Sequence, residues 1–497
     1  MTTMRKGFDN DQYIRLQSEH IRSRIDQFGG KLYLEFGGKL FDDNHASRVL
    51  PGFEPDSKVK MLLQLKDLAE IVIVISADAI EKNKRRGDLG ITYDQDTLRL
   101  IDAFRGIGLY VGSVVLTRYR EQHAAVAFEK RLGALGIRVF KHYSIPDYPS
   151  NIPVIVSDEG FGKNEYIETT RSLVIVTAPG PGSGKMAVCM SQLYHEQKFG
   201  VQAGYAKFET FPVWNLPLKH PVNLAYEAAT ADLNDVNMID PFHLEEYGVT
   251  TVNYNRDVEA FPLVRTILTR ITGNDKFYCS PTDMGVNMAG YAIVDDEVCR
   301  EASCQEVIRR YFKGLTDLRV GHEKQSTVDK LKTIMQQLDL HPTDRPVVQA
   351  SLDKAERANA PAVAIQLPDG RIITGKSSKL LSACSGAVLN AIKLLAGIPK
   401  EALLMSPAVL EPVIDLKVNL LHSHASALKL DDALAALYIC AATDEAAAKA
   451  VAQLPKLQGC EIHSTQLLYS GDESTLRKMR LNLTCEPEFP GQNIIYR

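Results

Sequence analysis

Ser172-Leu-Val-Ile-Val-Thr-Ala-Pro-Gly-Pro-Gly-Ser-Gly-Lys185 runs on into Met-Ala-Val-Cys-Met-Ser-Gln-Leu-Tyr-His-Glu196. Leu173 to Val176 is an unbroken apolar run rich in β-branched residues, which suits a strand buried on both faces of a parallel sheet. Pro179 to Gly184 cannot continue that strand. Met186, Cys189, Met190, Leu193 and Tyr194 then recur at helical spacing. A buried strand, a Gly-rich turn and an amphipathic helix frame a phosphate-binding loop. Gly180, Gly182 and Gly184 let backbone N–H groups converge on an anion, and Ser183 adds a hydroxyl. The helix N-terminus contributes its partial positive charge and Lys185 a full one. In the NTPase pattern G-x-x-x-x-G-K-[ST], Pro179 stands at the first glycine and Met186 at the hydroxyl that binds Mg²⁺. The loop therefore points to phosphate or another anion more firmly than to Mg²⁺ with a nucleotide. The alternative is a tight structural turn.

A chain of 497 residues exceeds one ordinary core and divides into several domains. With 45% hydrophobic and 24% charged residues, the composition is that of a globular protein. A net charge of -4 gives no electrostatic footprint for nucleic acid. The N-terminus lacks the apolar core of a signal peptide, and Ile71 to Ile75 is too short to span a bilayer. The expected location is the cytoplasm, with no membrane partner. None of the eight cysteines forms a C-x-x-C pair, so metal ligands are not expected and the thiols read as small buried hydrophobes.

Apolar strand patterns at 31–36, 70–76, 109–117 and 139–143 alternate with helical ones before the Gly-rich loop, and Val201 to Phe208 follows it. This alternation predicts a mostly parallel, doubly wound α/β sheet over residues 1–218. Val154-Ile-Val-Ser-Asp158-Glu159 reads as one more strand, ending in two acids as a Walker-B strand does. Asp158 or Glu159 would then bind metal or orient a nucleophile. Lys207 and Glu209 are delivered to the same sheet edge, so the catalytic candidates are Lys185, Asp158, Glu159, Lys207 and Glu209. Polar groups just after Lys31–Phe36 mark a rim of that edge, with Lys39, His45 and Arg48 as substrate contacts. Lys82 to Arg86 is a basic cluster that either covers a phosphate or is simply solvated. Residues 219–325 read as a mainly helical module. Its polar loops add Asn253, Arg256, Thr282, Asp283 and Asn287 as substrate contacts. Residues 326–497 form a further α/β domain, opened by a hairpin turning at Asp369-Gly370 and a helix, Leu380 to Ala396, apolar on nearly every face.

Several of these stretches resemble one family along essentially the whole chain. They are Leu-Tyr-Leu-Glu-Phe-Gly-Gly-Lys-Leu-Phe-Asp-Asp from Leu32, His-Ala-Ser-Arg-Val-Leu-Pro-Gly-Phe from His45 and Thr-Ala-Pro-Gly-Pro-Gly-Ser-Gly-Lys-Met from Thr177. Ala-Gly-Tyr-Ala-Lys-Phe-Glu-Thr-Phe-Pro from Ala203 and Ser-Pro-Thr-Asp-Met-Gly-Val-Asn-Met from Ser280 complete the set. The chain is thereby identified as similar to the bacterial domain-of-unknown-function family 1846. That resemblance implies several domains with a P-loop-like N-terminal region, and makes Pro179 and Met186 a family trait. The C-terminal domain separately resembles a cytidine-deaminase-type α/β/α layer, carried by the hairpin Ile365 to Thr374 and the buried helix. The H-x-E and P-C-x-x-C zinc signature is missing from it.

The leading reading is an enzyme that binds a nucleotide or phosphorylated metabolite at Gly180 to Lys185 and carries out phosphoryl transfer or hydrolysis. Mg²⁺ would accompany a nucleotide. One alternative is an enzyme on a phosphorylated or carboxylated small molecule without a nucleoside triphosphate. The other is a non-catalytic, ligand-sensing scaffold. In each case the partner is a small phosphate-bearing ligand, and the reading admits a homo-oligomer.

Overall fold

A computed structural model describes residues 5–37, 40–41, 43–86, 90–422 and 427–490. They fall into two units: Arg5–Glu227 with Asn234–Ser303, and Ala228–Leu233 with Cys304 onward.

The first unit is built on a seven-stranded sheet. Its strands are β1 (Leu32–Phe36), β2 (Ala69–Ser76), β3 (Tyr110–Tyr119), β4 (Arg138–Tyr143), β5 (Leu173–Thr177), β6 (Gly204–Phe208) and β9 (Gly285–Val286). A small antiparallel hairpin, β7 (Asn237–Ile239) and β8 (Val252–Tyr254), stands apart from it. The order across the large sheet is β4-β3-β2-β5-β1-β6-β9, and every neighbouring pair is parallel. All residues of β1, β2 and β5 are buried, as strands with helices on both faces must be. The steps from β1 to β2, β2 to β3 and β3 to β4 move one way across the sheet, whereas the step from β5 to β6 moves the other way. Right-handed crossovers then put the two sets of helices on opposite faces. The direction reverses between β2 and β5, so the Gly-rich stretch after β5 opens at the switch point of the sheet.

Two readings of local structure need correction. Val154 to Glu159 is not a strand: Ile152–Ile155 is one helical turn, followed by turns through Gly160. The Asn151 side chain accepts from the Val154 amide, and Pro153 sits in the first turn. Local capping chemistry thus outweighs the β-branched run. Strand β6 begins at Gly204 rather than Val201. The segment read as helical does hold the long helix Asn255–Thr272, but it also supplies the hairpin and β9.

The second unit has a four-stranded sheet ordered β11-β10-β12-β13, with β10 (Ala362–Gln366), β11 (Ile372–Lys376), β12 (Glu461–Ser464) and β13 (Asn482–Cys485). The predicted hairpin pairs Ile365 with Ile373. Helix Ala383–Leu395 is the centre of the apolar core. Arg345 is fully buried. It donates to Thr484 Oγ1 at 3.0 Å and the Asn482 carbonyl at 2.7 Å, and ion-pairs with Glu461. Arg309 reaches the same carboxylate at 2.9 Å, and the Phe312 ring lies 4.8 Å from that of His463.

Arg309 and Phe312 precede residue 326, which generates a prediction. A fragment of residues 304–497 should be more stable than one of 326–497, by at least about 3 kcal/mol, because the shorter one loses a buried aromatic and one partner of a buried charge. Urea melts of the two fragments check this; equal midpoints would refute it.

Candidate functional site

At the C-terminal edge of the parallel sheet, β5 ends at Thr177 and the loop helix Lys185–Lys198 begins. Gly184 caps that helix in the left-handed region at φ 93°, and Gly182 has φ 76°. Side chains other than glycine rarely adopt these angles, so the turn depends on both residues. Two hydrogen bonds brace it. Thr117 Oγ1, on β3, donates to the Ser183 carbonyl at 2.6 Å, and Ser183 Oγ donates to the Gly180 carbonyl at 2.8 Å. Ser183 is therefore buried and spent on shaping the loop. The amides of Gly180 and of residues 182–187 donate to no acceptor among the described residues. Together with Lys185, which heads the helix, they form a concentrated array of donors.

A second cluster lies along the same edge. Glu35 on β1 is in register with Val176 on β5 and with Lys207 on β6. Two inter-strand spacings, about 10 Å, therefore separate the strand carrying the loop from the one carrying Lys207. The Lys207 ammonium bonds Glu209 at 2.5 Å and both oxygens of Asp257 at 2.8 Å. Asp257 sits in the first turn of helix Asn255–Thr272. Tyr205 donates to Glu35 at 2.8 Å. Lys207, Glu209 and Asp257 remain 20%, 15% and 21% exposed, so the cluster is desolvated yet reachable.

The electrostatics follow from three carboxylates around one ammonium. Burial alone would lower the Lys207 pKa, but Glu209, Asp257 and Glu35 outweigh it and raise it, so the lysine stays charged. Burial lifts the Glu209 carboxyl to about 7. Lys207 opposes this, while Asp257 and Glu35 add to it. A carboxyl that titrates near neutrality can take and return a proton at working pH. Burial of Cys189 on the loop helix raises its thiol pKa; Glu35 adds to this and Lys185 opposes it.

The other candidates scatter. Asp158 and Glu159 are exposed, and Asp158 ion-pairs Lys198 and accepts from Tyr194 Oη at 2.9 Å. Lys198 and Tyr194 hold that carboxyl below the usual range. Lys198 is the last residue of the helix that Lys185 begins, about 20 Å away at 1.5 Å per residue. Asp158 is thus not brought to the loop. His45 and Arg48 lie on helix Asn44–Val49, where the His45 ring is edge-on to Phe211 at 5.5 Å and Tyr226 at 5.3 Å. Burial would raise the Asp43 carboxyl that caps this helix, but Lys58, 2.8 Å away, holds it below its ordinary range. Lys39 lies outside the described residues.

Asn253 and Thr282 are buried in a network on Asp240, with Asn253 Nδ2 donating at 3.1 Å and Thr282 Oγ1 at 2.8 Å. Asp283 accepts from the Ser280 amide at 3.1 Å in a capping box, and from Tyr247 Oη at 3.0 Å. Asn287 Nδ2 donates to the Pro212 carbonyl at 2.8 Å, and Arg256 ion-pairs Asp235 at 2.7 Å. These polar groups join the hairpin and its following turn to the rest of the unit.

The sequence reading did not select Glu35 or Asp257. The signal for Glu35 was a lone acid inside the apolar strand Leu32–Phe36; that for Asp257 was a first-turn acid beside two residues that were selected. Among the described residues, no group of three or more His, Cys, Asp and Glu could hold a metal ion, and no helix is long and apolar enough to cross a membrane. At the cluster, the Lys207 ammonium occupies the centre that a cation would take.

Comparison with known proteins bears out the resemblance. The family model described as domain of unknown function DUF1846, N-terminal, matches residues 6–339, and its C-terminal counterpart matches 343–496. The chain belongs to this family. It is 54% identical over 485 residues to a UPF0371 protein of Streptococcus thermophilus (strain ATCC BAA-250 / LMG 18311), covering 98% of each chain. It is also 54% identical over 483 residues to a UPF0371 protein of Streptococcus pyogenes serotype M5 (strain Manfredo), covering 97% of this chain and 98% of that one. Neither the family description nor these titles names an activity.

The shift at Glu209 makes stability depend on pH. Its folded pKa lies above that of an ordinary carboxyl, so the fold favours the protonated form. That contribution is full at acid pH and lost as pH rises through about 7. Glu209→Gln has no such proton to lose. Its melting temperature relative to wild type should therefore rise between pH 5 and pH 8; an unchanged difference would contradict the assignment.

Proposed function

We propose that the protein is an enzyme acting on a small phosphorylated metabolite. The phosphate is anchored at Gly180, Gly182, Ser183, Gly184 and Lys185, and Glu209, paired with Lys207, moves a proton at the other end of the molecule. The observation that carries this reading is the run of unpartnered amides at 180 and 182–187, headed by Lys185, at the switch point of a parallel sheet. An anion there completes donors that the chain leaves open. The distance of about 10 Å across two strand spacings suits a phosphate at one end of a metabolite and a reacting group at the other.

Of the readings open to the sequence, this favours the one without a nucleoside triphosphate. Met186 replaces the hydroxyl that would bind Mg²⁺, and the acids proposed to hold the metal, Asp158 and Glu159, belong to the far end of the loop helix. The loop in this proposal is P-loop-like in its strand, turn and helix, but holds phosphate by amides and Lys185 alone. We assign the C-terminal domain, residues 326–497, the cytidine-deaminase-type layer as a scaffold, since the zinc signature is missing from its sequence. A cytoplasmic location and no nucleic-acid partner complete the proposal.

The test is a thermal-shift screen of sugar phosphates and nucleotides, with Mg²⁺ and with chelator, followed by turnover assays on the hits. Lys185→Ala should weaken binding of a phosphorylated hit about ten- to a hundredfold, the worth of a charge-assisted hydrogen bond at roughly 1.5–3 kcal/mol. The melting temperature without ligand should barely move. A phosphorylated ligand that stabilises wild type and Lys185→Ala equally would place the phosphate elsewhere.

A further inference from the structure

The connection from β2 to β3 brings a second set of donors to the Gly-rich loop. Tyr93 opens the helix Tyr93–Gly106 and is 5% exposed. Its hydroxyl lies against Gly180: a Cβ built on that glycine would fall 2.2 Å from Tyr93 Oη, so only glycine permits the approach. Among the described residues that hydroxyl has no hydrogen-bond partner, although the ring beneath it is nine-tenths buried. A phenylalanine would fill the same apolar space, so burial of the ring leaves the hydroxyl without a task inside the fold.

Lys84 stands over the face of the Tyr93 ring, with Nζ 5.0 Å from the centroid. The Tyr93 amide donates to the Lys84 carbonyl at 2.9 Å, so the two residues are tied together through the backbone. No carboxylate lies within ion-pair distance of the Lys84 ammonium among the described residues. The Tyr93 hydroxyl thus meets the loop at Gly180, with the Lys84 ammonium held over the ring that carries it.

We propose that Tyr93 and Lys84 complete the phosphate site, and that the group it takes is the dianionic terminal phosphate of a monoester rather than a diester or a carboxylate. This rests on the phosphate reading of the loop. Its basis is charge and donor count. A phosphomonoester carries close to two negative charges at neutral pH and three strong acceptor oxygens. Lys185 at the head of the loop helix and Lys84 over the Tyr93 ring supply two full positive charges, and the amides and Tyr93 Oη supply directed donors. A diester or a carboxylate brings only one charge and leaves one ammonium unmatched. In this arrangement Gly180 serves the site by letting Tyr93 in, and Tyr93 sets how deeply the phosphate sits.

The experiment is titration calorimetry on the full-length protein with glycerol 3-phosphate, its methyl diester and glycerate. Wild type, Lys185→Ala, Tyr93→Phe and Lys84→Ala are compared, with melting temperatures to confirm folding. Wild type should bind the monoester at least about tenfold more tightly than the diester or the carboxylate. Tyr93→Phe should weaken the monoester about tenfold without lowering the melting temperature, and Lys84→Ala should shrink the preference for monoester over diester. If wild type binds monoester and diester alike, or if neither Tyr93→Phe nor Lys84→Ala changes the preference while Lys185→Ala weakens all ligands, the dianion inference falls and the loop anchor stands. If none of the ligands binds, or Lys185→Ala changes none of the affinities, the anchor itself is wrong.

Discussion

A parallel ladder brings every strand of a sheet to the same edge, and this constraint organises the first unit. Each of the seven strands runs in one direction, so the residues after β1, β2, β3, β5 and β6 emerge together. The order then decides which of them meet. Because the winding reverses between β2 and β5, the connection after β5 cannot lie over its neighbour's and the edge stays open there. The Gly-rich turn fills that opening. Its glycines are required by geometry at Gly182 and Gly184, where φ is positive, and at Gly180, where another residue's ring comes close.

The same edge concentrates charge of both signs in separate places. Donors gather at the loop, where amides and Lys185 face outward. Carboxylates gather one and two strands away, around one lysine that cannot balance all of them. Removing these groups from water is costly, and each hydrogen bond within the cluster offsets part of that cost. Burial pushes Glu209 to titrate near neutrality, and the neighbouring carboxylates add to what Lys207 opposes. A site that separates an anion holder from a proton carrier suits a molecule with two different ends.

How much of this was legible in the sequence depended on whether the signal was local. The strand-turn-helix around Lys185 was readable because apolar run, glycines and helical spacing all agree over a short span. Strands β1 to β4 were readable for the same reason. The stretch 154–159 misled because composition favoured a strand while Asn151 and Pro153, just upstream, started a helical turn. That Lys207 and Glu209 reach one sheet edge was readable from the strand, since Lys207 stands near its end and Glu209 directly follows it. Asp257 lies 50 residues from Lys207, and only the packing of helix Asn255–Thr272 on the sheet brings them together. The polar residues Asn253, Thr282, Asp283 and Asn287 were visible as polar, but composition cannot tell a ligand contact from a group spent inside the fold, as Asn253 and Thr282 are on Asp240, Asp283 on its capping box and Asn287 on the Pro212 carbonyl. Family membership spans nearly the whole chain and fixes relatives without fixing chemistry.

The central claim is that the amides of the Gly-rich loop hold a phosphate. It is tested most directly by nuclear magnetic resonance on protein labelled with ¹⁵N at glycine, titrated with a phosphomonoester. Hydrogen bonding to a phosphate shifts amide protons strongly downfield. Such shifts are expected at Gly180, Gly182 and Gly184, assigned by single substitutions, with small changes at glycines away from the sheet edge. Saturable binding that leaves those three signals in place would contradict it.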